Sequence, residues 1–407
     1  MIESISKSIA EDSESMLMTN ISDIKVDTER EETFYCGIDC GSTQTRIILV
    51  PESKVANPDL EEWFKVYAVI PSKSKNVEIS EKLKPRSNLL FDNMDSVFSI
   101  NAGQTVRLVR GAKINDVEIA EKELIASSKK VTSETLRYNI VDAIGYNLVQ
   151  YYTKLDQDIP GNIKILLSIA LPPDDLLDKD IEILRSQLSR FSWSLVGRMG
   201  GHIEVSITSL AAYSEPEAQA TAYYLFAEGD VPEEVLLLES GGRNSAPVIL
   251  VNGNPIGAVL KSIDQSGSKL LDKIGTAYVR EYGGRMPSIR HLENAVKTGK
   301  IKTGNTYMDI TPIIKSCKDQ VAEDLYQRLL SEVLSKQTVV SLETLNEILL
   351  SGRVFLEGDY NYSVASKFTS LVLQASPHTV VKVIQKNMIP QGLILLYLYE
   401  KVFNVKE

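Results

Sequence analysis

Two short turns in this chain carry the residue types that grip phosphate. The first is Asp39-Cys40-Gly41-Ser42-Thr43-Gln44, lying between an apolar stretch from Phe34 and another from Arg46. The second is Glu239-Ser240-Gly241-Gly242-Arg243-Asn244, lying between the apolar runs 235–238 and 246–251. A polyphosphate needs backbone N–H groups at close range. Glycine lets the main chain approach, and small hydroxyl residues add donors without bulk. An acid at the strand end, here Asp39 or Glu239, can hold Mg²⁺ through its waters, because that ion takes few protein ligands. One such turn alone reads as an ordinary hairpin. Two with the same layout fit a duplicated domain in which each copy offers one phosphate-gripping hairpin, with the ligand between domains.

Three further features follow in order. Gly267 opens a helical stretch and would let the backbone pass near a ribose. Glu293 and Lys297 stand at i and i+4 on one helical face, a spacing that by itself gives a surface ion pair worth about 0.2–0.5 kcal/mol. Ser351-Gly352-Arg353 follows an apolar strand. Ahead of the second turn stands Ser214-Glu215-Pro216-Glu217-Ala218. Acids are favoured at a helix start by the dipole alone, and a carboxylate near a γ-phosphate can also orient a water for in-line attack. Arg243 has two readings: a fixed charge beside the γ-phosphate, or a partner of Glu239 when no ligand is bound.

Taken in this order, the motifs resemble those of the actin, sugar-kinase and heat-shock-chaperone ATPase superfamily. Within it the sequence is most similar to the bacterial plasmid-segregation actins of the ParM type, over residues 34–403. The resemblance implies an α/β, actin-like fold, a duplicated ribonuclease-H-like pair of lobes with the nucleotide in the interdomain cleft. It implies ATP or GTP with Mg²⁺. Asp39, Gly41, Ser42, Thr43 and Gln44 match the phosphate-one motif, and Gly241, Gly242, Arg243 and Asn244 occupy phosphate two. Gly267, Glu293, Lys297, Ser351, Gly352 and Arg353 fall to the nucleoside, and Asp39 and Glu239 to the metal. For the water-positioning acid, Glu217 matches the Pro-Glu of the plasmid actins and Glu215 the Glu-Pro of the chaperones; Glu217 is preferred. The chain departs from the family pattern in having Glu239 for an Asp, Arg243 and Asn244 for Thr, and a single glycine, Gly352, in the adenosine motif. The implied function is a filament-forming NTPase that segregates plasmid DNA or serves as a bacterial cytoskeletal filament. Its hydrolysis is coupled to polymerisation, and its partners are copies of itself and a DNA-binding adaptor. The alternatives are a small-molecule kinase and a non-polymerising nucleotide-binding scaffold of the same superfamily.

The elements that must position these residues alternate between strand and helix, the mark of an α/β fold. Strands are expected at 34–38, 46–50, 63–70, 163–171, 235–238, 246–251, 347–350 and 379–384. Helices are expected at 133–154, 215–228, 268–280, 288–297, 317–334, 362–374 and 390–402. The organisation expected is an acidic, disordered tail at 1–32 and domain I at 33–172 with an insert at about 71–130. Domain II then spans 173–390 with a helical insert at about 285–340, and a closing helix at 391–407 returns to domain I. The tail reading rests on nine acidic against three basic residues. Membrane contact through it would want lysine and arginine on the polar face, and those are few. The 407 residues carry a formal charge of −10, which repels phosphate backbones and argues against direct contact with nucleic acid. Three cysteines without a second metal-spaced pair argue against zinc and for a reducing compartment. No apolar run approaches the ~20 residues of a membrane span, and no cleavable signal is visible. A cytoplasmic protein is expected.

Overall fold

The computed structural model describes residues 25–41, 44–56, 62–63, 66–72, 74–77, 79, 83, 89–90, 93–111, 130–197, 201–226, 231–242, 244–256, 262–356 and 363–404. The chain divides into two units: residues 1–226 with 388–407, and residues 227–387.

The first unit is built on one nine-stranded sheet. Its strands are β1 (Val26–Cys40), β2 (Gln44–Pro51), β3 (Tyr67–Pro71), β4 (Ser74–Asn76), β5 (Asp95–Ile100) and β6 (Thr105–Arg110). Helix α1 (Glu134–Leu155) precedes β7 (Ile159–Leu171), and α2 (Asp178–Gln187) precedes β8 (Arg190–Leu195), β9 (Ile203–Ser214) and α3 (Glu215–Phe226). The order across the sheet is β3-β2-β1-β7-β9-β8-β5-β6-β4. The hairpin β1–β2 is antiparallel, while β7 lies parallel to β1 and β9 parallel to β7. Such strands are covered on both faces, and β1 and β7 accordingly end in unbroken buried runs. Helix α1 is buried nearly all round from Asn139 to Tyr152, as expected of a helix enclosed by core rather than one lying on a surface.

The second unit carries β10 (Glu234–Ser240), β11 (Ser245–Val251), β12 (Asn254–Pro255), α4 (Gly267–Tyr282), α5 (Ile289–Thr298), β13 (Lys300–Thr303), β14 (Thr306–Asp309), α6 (Thr311–Arg328), β15 (Glu347–Ser351), α7 (Val364–Ala375) and β16 (Val380–Val383). Its five-stranded sheet runs β12-β11-β10-β15-β16. Here too the hairpin β10–β11 is antiparallel, and β15 and then β16 follow in parallel. The arrangement β3-β2-β1-β7-β9 in the first unit and β12-β11-β10-β15-β16 in the second is the same in order and direction, so the duplication read from the two turns is present in the topology. Each unit has its own apolar core. The chain then closes with α8 (Ile389–Asn404), whose Ile389, Leu393 and Tyr397 are buried with Tyr213 and Ala218 in the first unit.

Two boundaries differ from the sequence expectation. The division lies at 226/227, not 172/173. Pro172 and Pro173 do end β7, but the chain returns through β9, which pairs with β7 from Asn162↔Glu204 to Leu171↔Ser214. The tail does not extend to residue 32, because β1 begins at Val26 and pairs with Ile159 onward. Its acids are paired: Arg30 of the same strand and the Tyr152 hydroxyl meet Glu32 at 2.9 and 2.6 Å, and Lys164 meets Glu31 at 2.6 Å. Residues 1–24 and most of the 71–130 insert beyond residue 111 lie outside the described residues. The described part, β4 to β6, joins the main sheet through β5 and β8. The helical insert at 285–340 also contains a hairpin, β13–β14.

Candidate functional site

In the first unit, the parallel strands β1, β7 and β9 end at one edge. Asp39 stands opposite Ala170, and Ala170 opposite Tyr213. Ligands in α/β sheets bind at the carboxyl ends of such strands. Past the edge lie Gly41 on the first strand and Glu215, the first residue of α3, on the third. Asp39 is 4% exposed, and its Oδ2 accepts from Arg46 Nη1 at 3.0 Å. Gly41 sits where a side chain would not fit, since a Cβ would fall 2.8 Å from the Gln44 carbonyl oxygen. Gln44 opens β2 and is exposed. Ser42 and Thr43 lie outside the described residues.

A lysine that sequence reasoning did not single out completes this edge. Lys130 Nζ lies 3.1 Å from Glu215 Oε1, with both side chains mostly buried. Its backbone N–H donates to Asp175 Oδ2 at 2.7 Å. Burial alone would lower the Lys130 pKa; the charges of Glu215 and then Asp39 outweigh it and raise it, so the ammonium stays charged. Nothing near Lys130 in the sequence marks it, since its partner lies 85 positions away. Glu217 is turned elsewhere. Its Oε2 accepts from the Ser214 hydroxyl at 3.4 Å. Burial raises its carboxyl above the ordinary range, the Ser214 hydrogen bond opposes this, and Glu400 adds to it. The neighbouring Tyr213 hydroxyl donates to Glu400 at 2.8 Å.

In the second unit, the parallel strands β10 and β15 end together, Glu239 opposite Ser351. The turn after β10 is closed by Gly241 N–H donating to the Asn244 carbonyl at 3.0 Å. Its other carbonyls bind the start of α4: Gly267 N–H meets Gly241 O at 3.1 Å and Ser268 N–H meets Gly242 O at 2.9 Å. Gly352 has φ +94°, and a Cβ there would lie 2.4 Å from the Ser240 carbonyl oxygen and 2.7 Å from Glu239 Oε1. Glycine is therefore required on both conformational and steric grounds. The Glu239 carboxylate, 6% exposed, lies beside Gly352 and Gly241. Arg353 Nη1 reaches Glu293 Oε1 at 3.3 Å. So Glu239, Gly241, Gly242, Asn244, Gly267, Ser351, Gly352, Arg353 and Glu293 are brought together. Lys297 is not: it stands exposed, and among the described residues Glu293 pairs with Arg353 in its place. Arg243 lies outside the described residues.

Among the described residues no three of His, Cys, Asp and Glu gather as a metal cage. No helix among the described residues is long and apolar enough to cross a membrane.

Comparison with solved structures identifies the architecture. A 15-stranded ParM filament from Clostridium botulinum matches with TM-score 0.65 at 13% identity, covering 90% of this chain and 99% of that one. The chain has the actin-like fold. Bacillus thuringiensis ParM with ATP matches with TM-score 0.58 at 12% identity, covering 91% and 100% of the two chains. The archaeal actin homologue Ta0583 in complex with ADP matches with TM-score 0.58 at 12% identity, covering 90% and 99%. Neither a family model nor a curated protein matches the sequence. At these identities the likeness extends to the actin-like fold and no further.

Proposed function

We propose that this chain is a nucleoside-triphosphate-binding protein that hydrolyses ATP or GTP and assembles with copies of itself. The observation that carries the reading is the edge formed by β1, β7 and β9, where Asp39, Lys130 and Glu215 converge beside a glycine turn. The matching turn of the second unit, with Glu239, Gly241, Gly242 and Gly352, supports it. So do the ATP and ADP carried by two of the structures that share the fold.

In this reading the glycine turn of the first unit meets phosphate oxygens, and the Lys130 ammonium meets charge that builds up on the transferred phosphoryl group. Mg²⁺ would be held by the phosphates and by waters on Asp39, and would supply further neutralisation of phosphate charge. Glu215 orients the attacking water, because it faces Lys130 at this edge. Glu217, the residue preferred from the sequence, points toward Ser214 and Glu400. Self-assembly is supported by the likeness to a ParM filament; a role in plasmid segregation through a DNA-binding adaptor would follow from it.

The test is nucleotide turnover and sedimentation of the purified chain with ATP or GTP and Mg²⁺. Glu215→Gln is expected to lower turnover about 10²-fold or more, the order typical of removing a positioned general base. Glu217→Gln is expected to leave it within a few-fold. The opposite ranking returns the role to Glu217. Absence of both turnover and nucleotide-dependent pelleting overturns the function.

A further inference from the structure

Beneath the first turn runs a hydrogen-bonded chain that phosphate binding does not by itself require. Ser72, in the link from β3 to β4, is 1% exposed, and its hydroxyl donates to the Gly41 carbonyl at 2.7 Å. The Thr45 hydroxyl lies 2.9 Å from the same Ser72 oxygen. Ser72 has one proton and it is used on Gly41, so Thr45 is the donor. The Ser72 backbone is itself fixed: Arg110 Nη1 donates to the carbonyls of Pro71 at 2.9 Å and Ser72 at 3.1 Å. Arg110 ends β6, and its Nε pairs with Asp142 at the middle of α1. Asp142 is fully buried and also accepts from Trp193 Nε1 at 2.9 Å.

A buried ion pair is a costly way to hold a core together, because apolar residues of the same volume usually do as well or better. What apolar residues cannot do is fix the direction of a carbonyl. A carbonyl oxygen carries partial negative charge and repels a phosphate oxygen. Holding the Gly41 carbonyl on the buried Ser72 hydroxyl therefore keeps that oxygen from facing a bound phosphate. Glycine has the widest backbone freedom of any residue, so this is the peptide most in need of an external clamp.

We propose that Ser72 is a positioning residue for phosphate binding, its hydroxyl clamping the first turn between Gly41 and Thr45 while Arg110 and Asp142 anchor Ser72. The inference rests on the nucleotide reading above. It is tested with the full chain and Mg²⁺ by measuring affinity for ATP, GTP and the corresponding nucleosides. Ser72→Ala and the near-isosteric Thr45→Val are each expected to weaken the bound triphosphate about tenfold while nucleoside affinity is unchanged. The double variant is expected to lose no more than either single one, since both cut the same clamp. Thr45→Ser keeps the hydroxyl and is expected to keep the affinity. Should Ser72→Ala fail to fold, Thr45→Val against Thr45→Ser decides alone. If the wild type binds a triphosphate and the variants bind it equally well, the clamp is overturned and the nucleotide reading stands. Equal weakening of nucleoside and triphosphate overturns it as well, because a general loosening would do that. If the wild type binds neither triphosphate, the nucleotide reading fails and the clamp falls with it.

Discussion

Cys40 shows how the fold changes the chemistry of a residue beside the candidate site. It is 6% exposed, and burial pushes its thiol up to about 12, with Lys130 pulling the other way. Cys36 is raised well above its ordinary range and Cys317 is raised too, both by burial. Only a thiolate alkylates. At pH 8 a thiol of pKa about 12 is ionised in roughly one molecule in 10⁴, so Cys40 should resist iodoacetamide in the native chain and react once urea exposes it. Labelling of Cys40 at the rate of a free cysteine would contradict the burial. The same shift bears on stability. Unfolded, the thiol ionises near its ordinary 9.0, and folded near 12, so stability is lost as pH rises from the first value toward the second. At this scale much of the candidate site was legible as local pattern. Asp39, Gly41, Glu239 and Gly352 sit in short motifs, and the structure places them at the ends of the parallel strands. Lys130, Ser72 and Arg110 were not legible, because each acts through a partner far along the chain and no local pattern encodes a contact made by folding.

At the scale of elements, α1 carries the clearest consequence. Its Asp142 is held by Arg110, Trp193 and Ser96, all from strands of the sheet it covers. Removing one member of a buried pair leaves the other charge unmatched, which costs about 3–5 kcal/mol. Asp142→Ala is therefore expected to lower the stability of the first unit by about that amount, read from the urea midpoint with the slope unchanged. A loss below about 1 kcal/mol, the range of an ordinary surface change, would mean that Arg110 finds another partner. A second close fit lies under α8, where a Cβ on Gly37 would fall 1.9 Å from the Pro390 carbonyl oxygen. The periodicity of the sequence located most of these helices and strands. It could not say which sheet a strand joins. Pro172 and Pro173 read as a domain end because a strand does stop there, yet β9 returns to the same sheet through pairing with β7. The acids of 27–32 read as tail because their countercharges lie on Lys164 and in the strand itself.

At the scale of the whole chain, the second unit is one continuous segment, 227–387, set between two segments of the first. Among the described residues, the buried members of its apolar core run from Leu236 to Val372. Most come from its sheet and from α4, α5, α6 and α7, and a segment with its own core can fold alone. Expressed by itself, 227–387 is expected to give a single cooperative thermal transition, monitored by circular dichroism, with dispersed amide resonances. The first unit has no such option as a simple truncation. Ending the chain at 226 removes α8, whose Ile389, Leu393 and Tyr397 are buried with Tyr213 and Ala218, and exposes the apolar surface they cover. That fragment is expected to aggregate, and the addition of residues 388–407 through a short linker to restore solubility. A soluble, cooperatively folding 1–226 would show that α8 is dispensable to the sheet carrying Asp39 and Glu215. The position of the candidate edge would then have to be explained without it.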